Sequence, residues 1–240
     1  VLFLEDHYFR LMASMRILRM EIPLEFTLEY LESEILKTIN ALNLNNARVR
    51  LTVFRNGEGR YQPEQRTVSF VIVAESTGAV YLNTTGKYEV ELFKDFHVSK
   101  HLLSTLKTTS CLINITASIF AQENDYENCL LINDEKNVIE AINGNIFVVK
   151  DNLISTPPIA DGCKNGIIRK KLIEIINKTE NLTFEERSIS PFELQKADEI
   201  FITNIAVGIQ SVTQYRKKMF ANTIANSLLM KLNAQIKFNS

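Results

Sequence analysis

CLLINDEKNVIEAINGNIFVVKDNLISTPPIADGCKNGIIRKKLIEIIN, residues 129–177, is the stretch whose reading decides the fold. Its apolar residues come in short runs, at Cys129–Asn133, Val138–Ala141, Asn145–Lys150 and Leu153–Ser155. The polar turns Asp134-Glu135-Lys136-Asn137 and Lys150-Asp151-Asn152 separate them. Runs this short, this closely spaced and bounded by Asp and Asn read as strands of one sheet. After Thr156-Pro157-Pro158 the chain turns through Asn165-Gly166, and Ile167–Asn177 reads as a helix.

Upstream, Asp6–Met20 and Phe26–Leu42 read as helices. In the second, Leu28, Leu31, Ile35, Ile39 and Leu42 recur at steps of three and four and make one apolar face. The period then changes to two over Ala47–Arg55: Val49, Leu51 and Val53 on one side, Arg48, Arg50, Thr52 and Phe54 on the other. Asn56-Gly57-Glu58-Gly59 is a turn, and Thr67–Ala74 and Lys87–Phe93 are further strands. The pattern loosens over Lys94–Leu106, and Leu112–Gln122 is helical. Downstream, Ser190-Pro191-Phe192-Glu193 has the form of a capping box with proline at the first helical position, which predicts a short helix. Asp198–Thr203 reads as a strand and Gln214–Leu232 as a closing helix. The expectation is a mixed α/β chain of two domains, 1–93 and 107–240, with 94–106 as the linker.

The bulk numbers narrow the function classes. At 240 residues the chain can bury a sizeable core, and 45% hydrophobic with 23% charged residues is ordinary for a globular protein. A net charge of −1, with no basic patch interleaved with aromatics, argues against nucleic acid and against an anionic membrane surface as partners. No apolar run reaches membrane-spanning length, and no signal peptide is read at the start. Cys111, Cys129 and Cys163 are odd in number and lack C-x-x-C spacing, which fits a reducing cytoplasm better than a disulfide framework or zinc knuckle. The sequons Asn83-Thr84-Thr85 and Asn177-Lys178-Thr179 carry meaning only in a secreted chain.

The residues by themselves nominate little chemistry. There is no Ser-His-Asp order, no P-loop and no metal cluster, and His7, His97 and His101 are scattered. Order and local context say more. The run Asp134–Lys150 leads through Thr156-Pro157-Pro158 to Asp161-Gly162-Cys163-Lys164-Asn165-Gly166-Ile167-Ile168-Arg169. It is preceded by His7-Tyr8-Phe9-Arg10-Leu11 and Leu106-Lys107-Thr108, and followed by Ala197-Asp198-Glu199-Ile200-Phe201-Ile202-Thr203-Asn204. Five such pieces in one order, covering nearly the whole chain, resemble the class IV aminotransferases, which include branched-chain and D-amino-acid aminotransferases and aminodeoxychorismate lyase.

That resemblance implies a two-domain fold type IV enzyme, like D-amino-acid aminotransferase, with pyridoxal 5'-phosphate as cofactor. It implies that Lys107 carries the cofactor and moves a proton at the substrate Cα. Lysine suits both tasks because desolvation or a neighbouring cation lowers its pKa readily; without the resemblance, Lys107 would read as a solvated surface lysine. Glu140 matches the carboxylate that faces the ring nitrogen, and Arg10 the arginine that takes the phosphate. The turn Asn165-Gly166-Ile167-Ile168 offers helix N-terminal N–H groups to the same anion. Asn145, Asn204 and Ile205 complete the expected cofactor contacts, and no metal is expected. Branched-chain enzymes usually place threonine where this chain has Ile168 and Ile205, so two hydroxyl contacts to phosphate are replaced.

Asn165-Gly166-Ile167-Ile168-Arg169 and Thr203-Asn204-Ile205-Ala206-Val207-Gly208-Ile209 look more like the lyase branch than the Gly-Thr-Ala pattern of the transaminases. Arg55-Asn56-Gly57-Glu58-Gly59-Arg60-Tyr61 resembles the lyase's arginine- and glycine-rich turn, one residue shorter, which makes Arg60 the candidate for a substrate carboxylate. Arg50 aligns with a substrate-carboxylate arginine of branched-chain enzymes. The leading expectation is therefore 4-amino-4-deoxychorismate lyase, releasing pyruvate and 4-aminobenzoate. A transaminase using 2-oxoglutarate is the alternative, and a non-catalytic homologue of the fold is the alternative of another class. The resemblance also implies a homodimer. The chain begins at Val1 without the Gly-Asp-x-x-Phe-Glu-type motif of the family, so the small domain is expected to be truncated at its N-terminus.

Overall fold

The computed structural model describes residues 1–78, 81–83 and 85–238. The Asn83-Thr84-Thr85 sequon includes Thr84 and so lies partly outside the described residues. Two compact units are present, Val1–Val80 and Tyr81–Ser240.

The first unit contains helices α1 (Leu4–Ile17) and α2 (Leu28–Ala41) and strands β1 (Ala47–Arg55) and β2 (Val68–Ser76). Helix α1 ends three residues before the expected Met20. Arg19 takes the left-handed conformation (φ 56°), and Met20 bonds back to the Met15 carbonyl at 2.9 Å, closing the helix. Helix α2 opens at Thr27, whose hydroxyl accepts the Tyr30 N–H at 3.2 Å, a cap worth about 1 kcal/mol. Strands β1 and β2 pair antiparallel without a slip from Ala47–Ser76 to Arg55–Val68. One face of this pair packs Leu51, Val53, Val68 and Phe70 against Met12, Met15, Phe26 and Leu31. The other face leaves Arg50, Phe54, Val71 and Val73 exposed.

The second unit is built on a large mixed sheet. Its elements are β3 (Glu89–Leu92), α3 (Leu112–Glu123), β4 (Asn128–Ile132), β5 (Val138–Ala141), β6 (Gly144–Lys150), β7 (Leu153–Thr156) and α4 (Ile167–Asn177). They continue with β8 (Thr183–Glu186), β9 (Glu199–Asn204), β10 (Gly208–Val212), β11 (Gln214–Tyr215), β12 (Lys218–Met219) and α5 (Thr223–Phe238). The strand order is β10-β9-β6-β5-β4-β3-β11-β12, and off this path β7 pairs with both β6 and β8. β4, β9 and β10 are almost continuously buried, as befits strands covered on both faces. On one face Val90, Leu130, Ile146, Ile200, Ile202 and Tyr215 pack together. On the other, Phe93, Leu131 and Ile139 meet Ala117 and Ala121 of α3. Phe147 and Phe201 stack at 5.1 Å across β6 and β9, a geometry worth about 0.5–1.5 kcal/mol beyond its burial.

Several expectations change here. The boundary between the units falls between residues 80 and 81, ahead of the expected linker at 94–106. Strand β3, assigned to the first domain on sequence, pairs in parallel with β4, and Val98 of the supposed linker bridges Asn133 and joins the second unit's core. The capping box forms, with the Ser190 N–H bonded to the Glu193 carboxylate at 2.9 Å, but it opens only a turn and the short 3-10 segment Leu194–Lys196. The closing helix begins at Thr223, not Gln214. Residues Gln214–Met219 instead make the β11–β12 hairpin, with Arg216 left-handed at its turn. The true start of α5 is capped from a distance: the buried Glu199 carboxylate accepts the Ile224 and Ala225 N–H groups at 2.9 and 3.0 Å. Strands β8 and β10 were not expected from the sequence.

Candidate active site

Three polar side chains lie in one cross-strand row on the second unit's sheet. Glu140 of β5 pairs with Asn145 of β6, and Asn145 pairs with Thr203 of β9. Directly paired residues share a face of the sheet, so the three line up on one side. All are buried, Glu140 and Thr203 at 2% exposure each. Buried polar groups normally have partners, yet the Thr203 hydroxyl has none among the described residues.

The loop before α4 packs on this row. The Lys164 backbone N–H donates to Glu140 Oε2 at 2.8 Å, and Lys164 Nζ lies 3.1 Å from Oε1. The Lys164 carbonyl in turn accepts from Asn145 Nδ2 at 2.8 Å. Burial raises the Glu140 carboxyl above its ordinary value, while the charges and hydrogen bonds of Lys164, and the charge of Lys107, pull it back.

Gly166 is the residue from which α4 starts, and no side chain caps it. A Cβ at Gly166 would lie 2.0 Å from Asn145 Oδ1, so only glycine lets the helix N-terminus sit against the row. Its first N–H groups, at Ile167, Ile168 and their neighbours, lack intrahelical acceptors and favour an anion. Arg169, one turn in, is buried and fixes this helix end: Nη2 donates to the Pro157 carbonyl at 2.9 Å and to Glu186 at 2.8 Å.

The chain turns sharply after Thr203. Asn204 Oδ1 accepts the N–H groups of Ala206 and Val207 at 2.9 and 3.1 Å, which folds residues 204–207 into a tight loop between β9 and β10. Tyr81 Oη donates to the Ile205 carbonyl at 2.8 Å, and its ring covers Gly208, where a Cβ would come within 2.6 Å of it. Burial pushes the Tyr81 phenol up to about 12, so it stays a donor.

Lys107 is exposed, on irregular chain just after the 3-10 segment Leu102–Thr105 and the buried Leu106. The Asn165 N–H bonds to the Thr105 carbonyl at 3.4 Å, tying the lysine's segment to the loop before α4. Gly162, left-handed at φ 101°, permits the same approach; a Cβ there would press on the Ser99 carbonyl and Ser104 Oγ at 3.2 and 3.3 Å.

The second unit thus brings Lys107, Glu140, Asn145, Gly166, Ile167, Ile168, Asn204 and Ile205 onto neighbouring elements. The donor set suits a phosphorylated pyridine aldehyde: an amine, a buried carboxylate, an unsatisfied hydroxyl and a helix N-terminus. Arg10, Arg50 and Arg60 belong to the first unit. Arg10 is half-buried on α1, where burial lowers its pKa against the opposing charge of Asp6. Arg50 stands exposed on β1 opposite Val73, and Arg60 is exposed in the loop between β1 and β2. Lys164, Thr203 and Tyr81 were not singled out from the sequence; the partners of Lys164 and Tyr81 lie 24 and 124 residues away, and the Thr203 hydroxyl has none among the described residues. No cluster of metal-ligating side chains and no helix fit to cross a membrane occurs among the described residues.

The sequence profile of the family described as "Amino-transferase class IV" matches residues 1–215. The chain belongs to that family. It is an enzyme of fold type IV with pyridoxal 5'-phosphate as cofactor. A putative branched-chain-amino-acid aminotransferase of Methanocaldococcus jannaschii is 27% identical over 238 residues, 99% of this chain and 82% of that protein. A putative 4-amino-4-deoxychorismate lyase from Legionella pneumophila has the same fold, with a TM-score of 0.87 at 23% identity over 97% of this chain and 85% of that one. A branched-chain amino acid aminotransferase from Thermobaculum terrenum, in its PLP form, superposes with a TM-score of 0.86 at 20% identity over 100% and 80%. Lyase and transaminase are matched equally well, so the fold does not choose between them.

Proposed function

We propose that this class IV enzyme is a 4-amino-4-deoxychorismate lyase, releasing pyruvate and 4-aminobenzoate. The chemistry rests on one observation: a buried carboxylate, Glu140, in register with Asn145 and Thr203 and beside the start of α4. When bound, the cofactor supplies an electron-accepting ring that stabilises negative charge at the substrate Cα. Lys107 holds the cofactor through its ε-amino group and then takes and returns the Cα proton. Its segment is irregular and exposed, so the lysine is reachable from solvent. Glu140 would partner the ring nitrogen and hold a proton there. The N–H groups at the start of α4 and the loop at Asn204 and Ile205 hold the phosphate. Arg10 is assigned to the same phosphate, and Arg60 or Arg50 to a substrate carboxylate, from the resemblance of their segments.

The choice of lyase rests on the resemblance of residues 165–169, 203–209 and 55–61 to that branch, and the first two runs include Ile168 and Ile205. The former is buried in the first turn of α4 and the latter part-exposed in the β9–β10 loop. Neither offers the phosphate a hydroxyl, which leaves backbone N–H groups there beside Arg10. The second reading, transamination of a branched-chain or D-amino acid with 2-oxoglutarate, is favoured by the Methanocaldococcus relative, aligned over 99% of this chain. Pyruvate release from aminodeoxychorismate, assayed beside glutamate formation from branched-chain amino acids and 2-oxoglutarate, decides it. Pyruvate supports the lyase; glutamate without pyruvate replaces it with the transaminase. If borohydride fixes no cofactor and neither product forms, the chain is a non-catalytic homologue.

A homodimer in the cytoplasm completes the proposal. Helix α3 leaves Leu112, Ile115 and Ile119 exposed on adjacent turns, a face suited to a second copy. Cys111, Cys129 and Cys163 are all free thiols, as a reducing compartment keeps them.

A further inference from the structure

Glu140 is held at both carboxylate oxygens by a single residue. Lys164 gives its backbone N–H to Oε2 and its ammonium to Oε1, at 2.8 and 3.1 Å. The backbone half of this grip is fixed, because the Lys164 carbonyl is itself taken by Asn145 Nδ2 at 2.8 Å and by the Gly166 N–H at 3.0 Å. One residue therefore sets the position of two side chains in the row. The ammonium half is adjustable: the Lys164 side chain is 32% exposed, whereas that of Glu140 is 3% exposed.

We propose that Lys164 is a positioning residue for the reaction, one that keeps Glu140 ionised and aimed so that the proton it shares with the cofactor rests on the ring nitrogen. The proposal rests on the reading of Glu140 as the ring-nitrogen partner. A carboxyl this deeply buried takes up a proton unless a cation or donors offset the loss of water. A protonated Glu140 would leave the ring nitrogen uncharged and a weaker electron acceptor. Lys164 supplies both a cation and a donor at hydrogen-bond distance from the carboxylate. Its ammonium therefore favours charge separation between Glu140 and the ring. Two of the roughly four acceptor positions of a carboxylate are used, which leaves room for the ring N–H. The other titratable groups acting on this pair are Lys107, which adds to the same effect, and the Cys163 thiol. Burial pushes that thiol up to about 12, so it stays neutral.

The test uses holoenzyme loaded with pyridoxal 5'-phosphate labelled with 15N in the ring, whose chemical shift reports protonation of that nitrogen. The unsubstituted enzyme is expected to give the protonated signal near neutral pH. Lys164→Met and Lys164→Gln are expected to move it toward the neutral-pyridine position, and Lys164→Arg to restore it. If Lys164→Met does not fold, Lys164→Gln, which keeps a donor but no charge, decides. An unchanged protonated signal in the neutral variants overturns the proposal. Glu140→Gln separates the two readings: it should move the signal at least as far, and if it leaves the signal unchanged, Glu140 is not the ring partner and both readings fall together.

Discussion

Lys107 and Glu140 occupy opposite kinds of structure. Lys107 is exposed on irregular chain behind a short 3-10 segment, held at its base by Leu106 and by the Thr105–Asn165 hydrogen bond. Glu140 is buried in mid-sheet, paired on both sides, with each oxygen occupied. The contrast fits the roles proposed for them. The amine proposed to bond the cofactor lies on an exposed, irregular segment. The carboxylate proposed to fix the ring's charge is held in place by sheet pairing.

Removing the exposed member should have the largest effect. Lys107→Ala should lower turnover by at least about a thousandfold, the range for loss of a general acid–base group, and abolish the visible absorbance of bound cofactor. Activity near the unsubstituted level would remove Lys107 from the mechanism. Disabling the fixed member should cost less. Glu140→Gln should slow hydrogen–deuterium exchange at the substrate Cα by about a hundredfold while the cofactor stays bound; an unchanged exchange rate would exclude Glu140.

The same variant carries a pH signature. Burial raises the folded-state carboxyl above its unfolded value of about 4.3. The folded chain therefore binds this proton more tightly than the unfolded chain does. Its stabilising effect is complete below pH 4.3 and is lost as pH rises through the folded value. Glu140→Gln should thus gain stability relative to the unsubstituted apoenzyme across that rise, in thermal melts. A constant difference at all pH values would show that Glu140 titrates as it does when unfolded.

Gly166→Ala sharpens the comparison on the scaffold side. Its Cβ would meet Asn145 Oδ1 at 2.0 Å, and relief of that overlap should cost about 1–3 kcal/mol and loosen cofactor binding. An unchanged cofactor affinity would show that the approach of α4 to the row is dispensable. The smallest effect is expected in the first unit. Arg60→Ala should raise KM about tenfold, the loss of one charge-assisted contact, with kcat held. An unchanged KM would point to Arg50.

The sequence revealed what local pattern encodes. Val138–Ala141, Ile167–Asn177 and Ala47–Arg55 fall at the expected boundaries, because turns and period changes bracket them. The errors come where a distant partner decides. Gln214 was read as the start of a helix, but α5 begins at Thr223, where a carboxylate from β9 caps it. Lys87–Phe93 was placed in the first domain, but its strand pairs in parallel with β4, a contact that no period in the sequence signals. At the candidate site, the family's motif pointed to Glu140, Asn145 and Gly166, which the fold brings together. Lys164 lies within that motif but nothing local marks it, since its link to Glu140 spans 24 residues and depends on how the loop before α4 folds back.

Borohydride reduction of the holoenzyme followed by peptide mapping tests the central claim most directly, because two lysines, Lys107 and Lys164, act on Glu140. The account predicts the reduced cofactor on the peptide containing Lys107, with Lys164 unmodified. Cofactor fixed to Lys164, or to neither lysine, would contradict it.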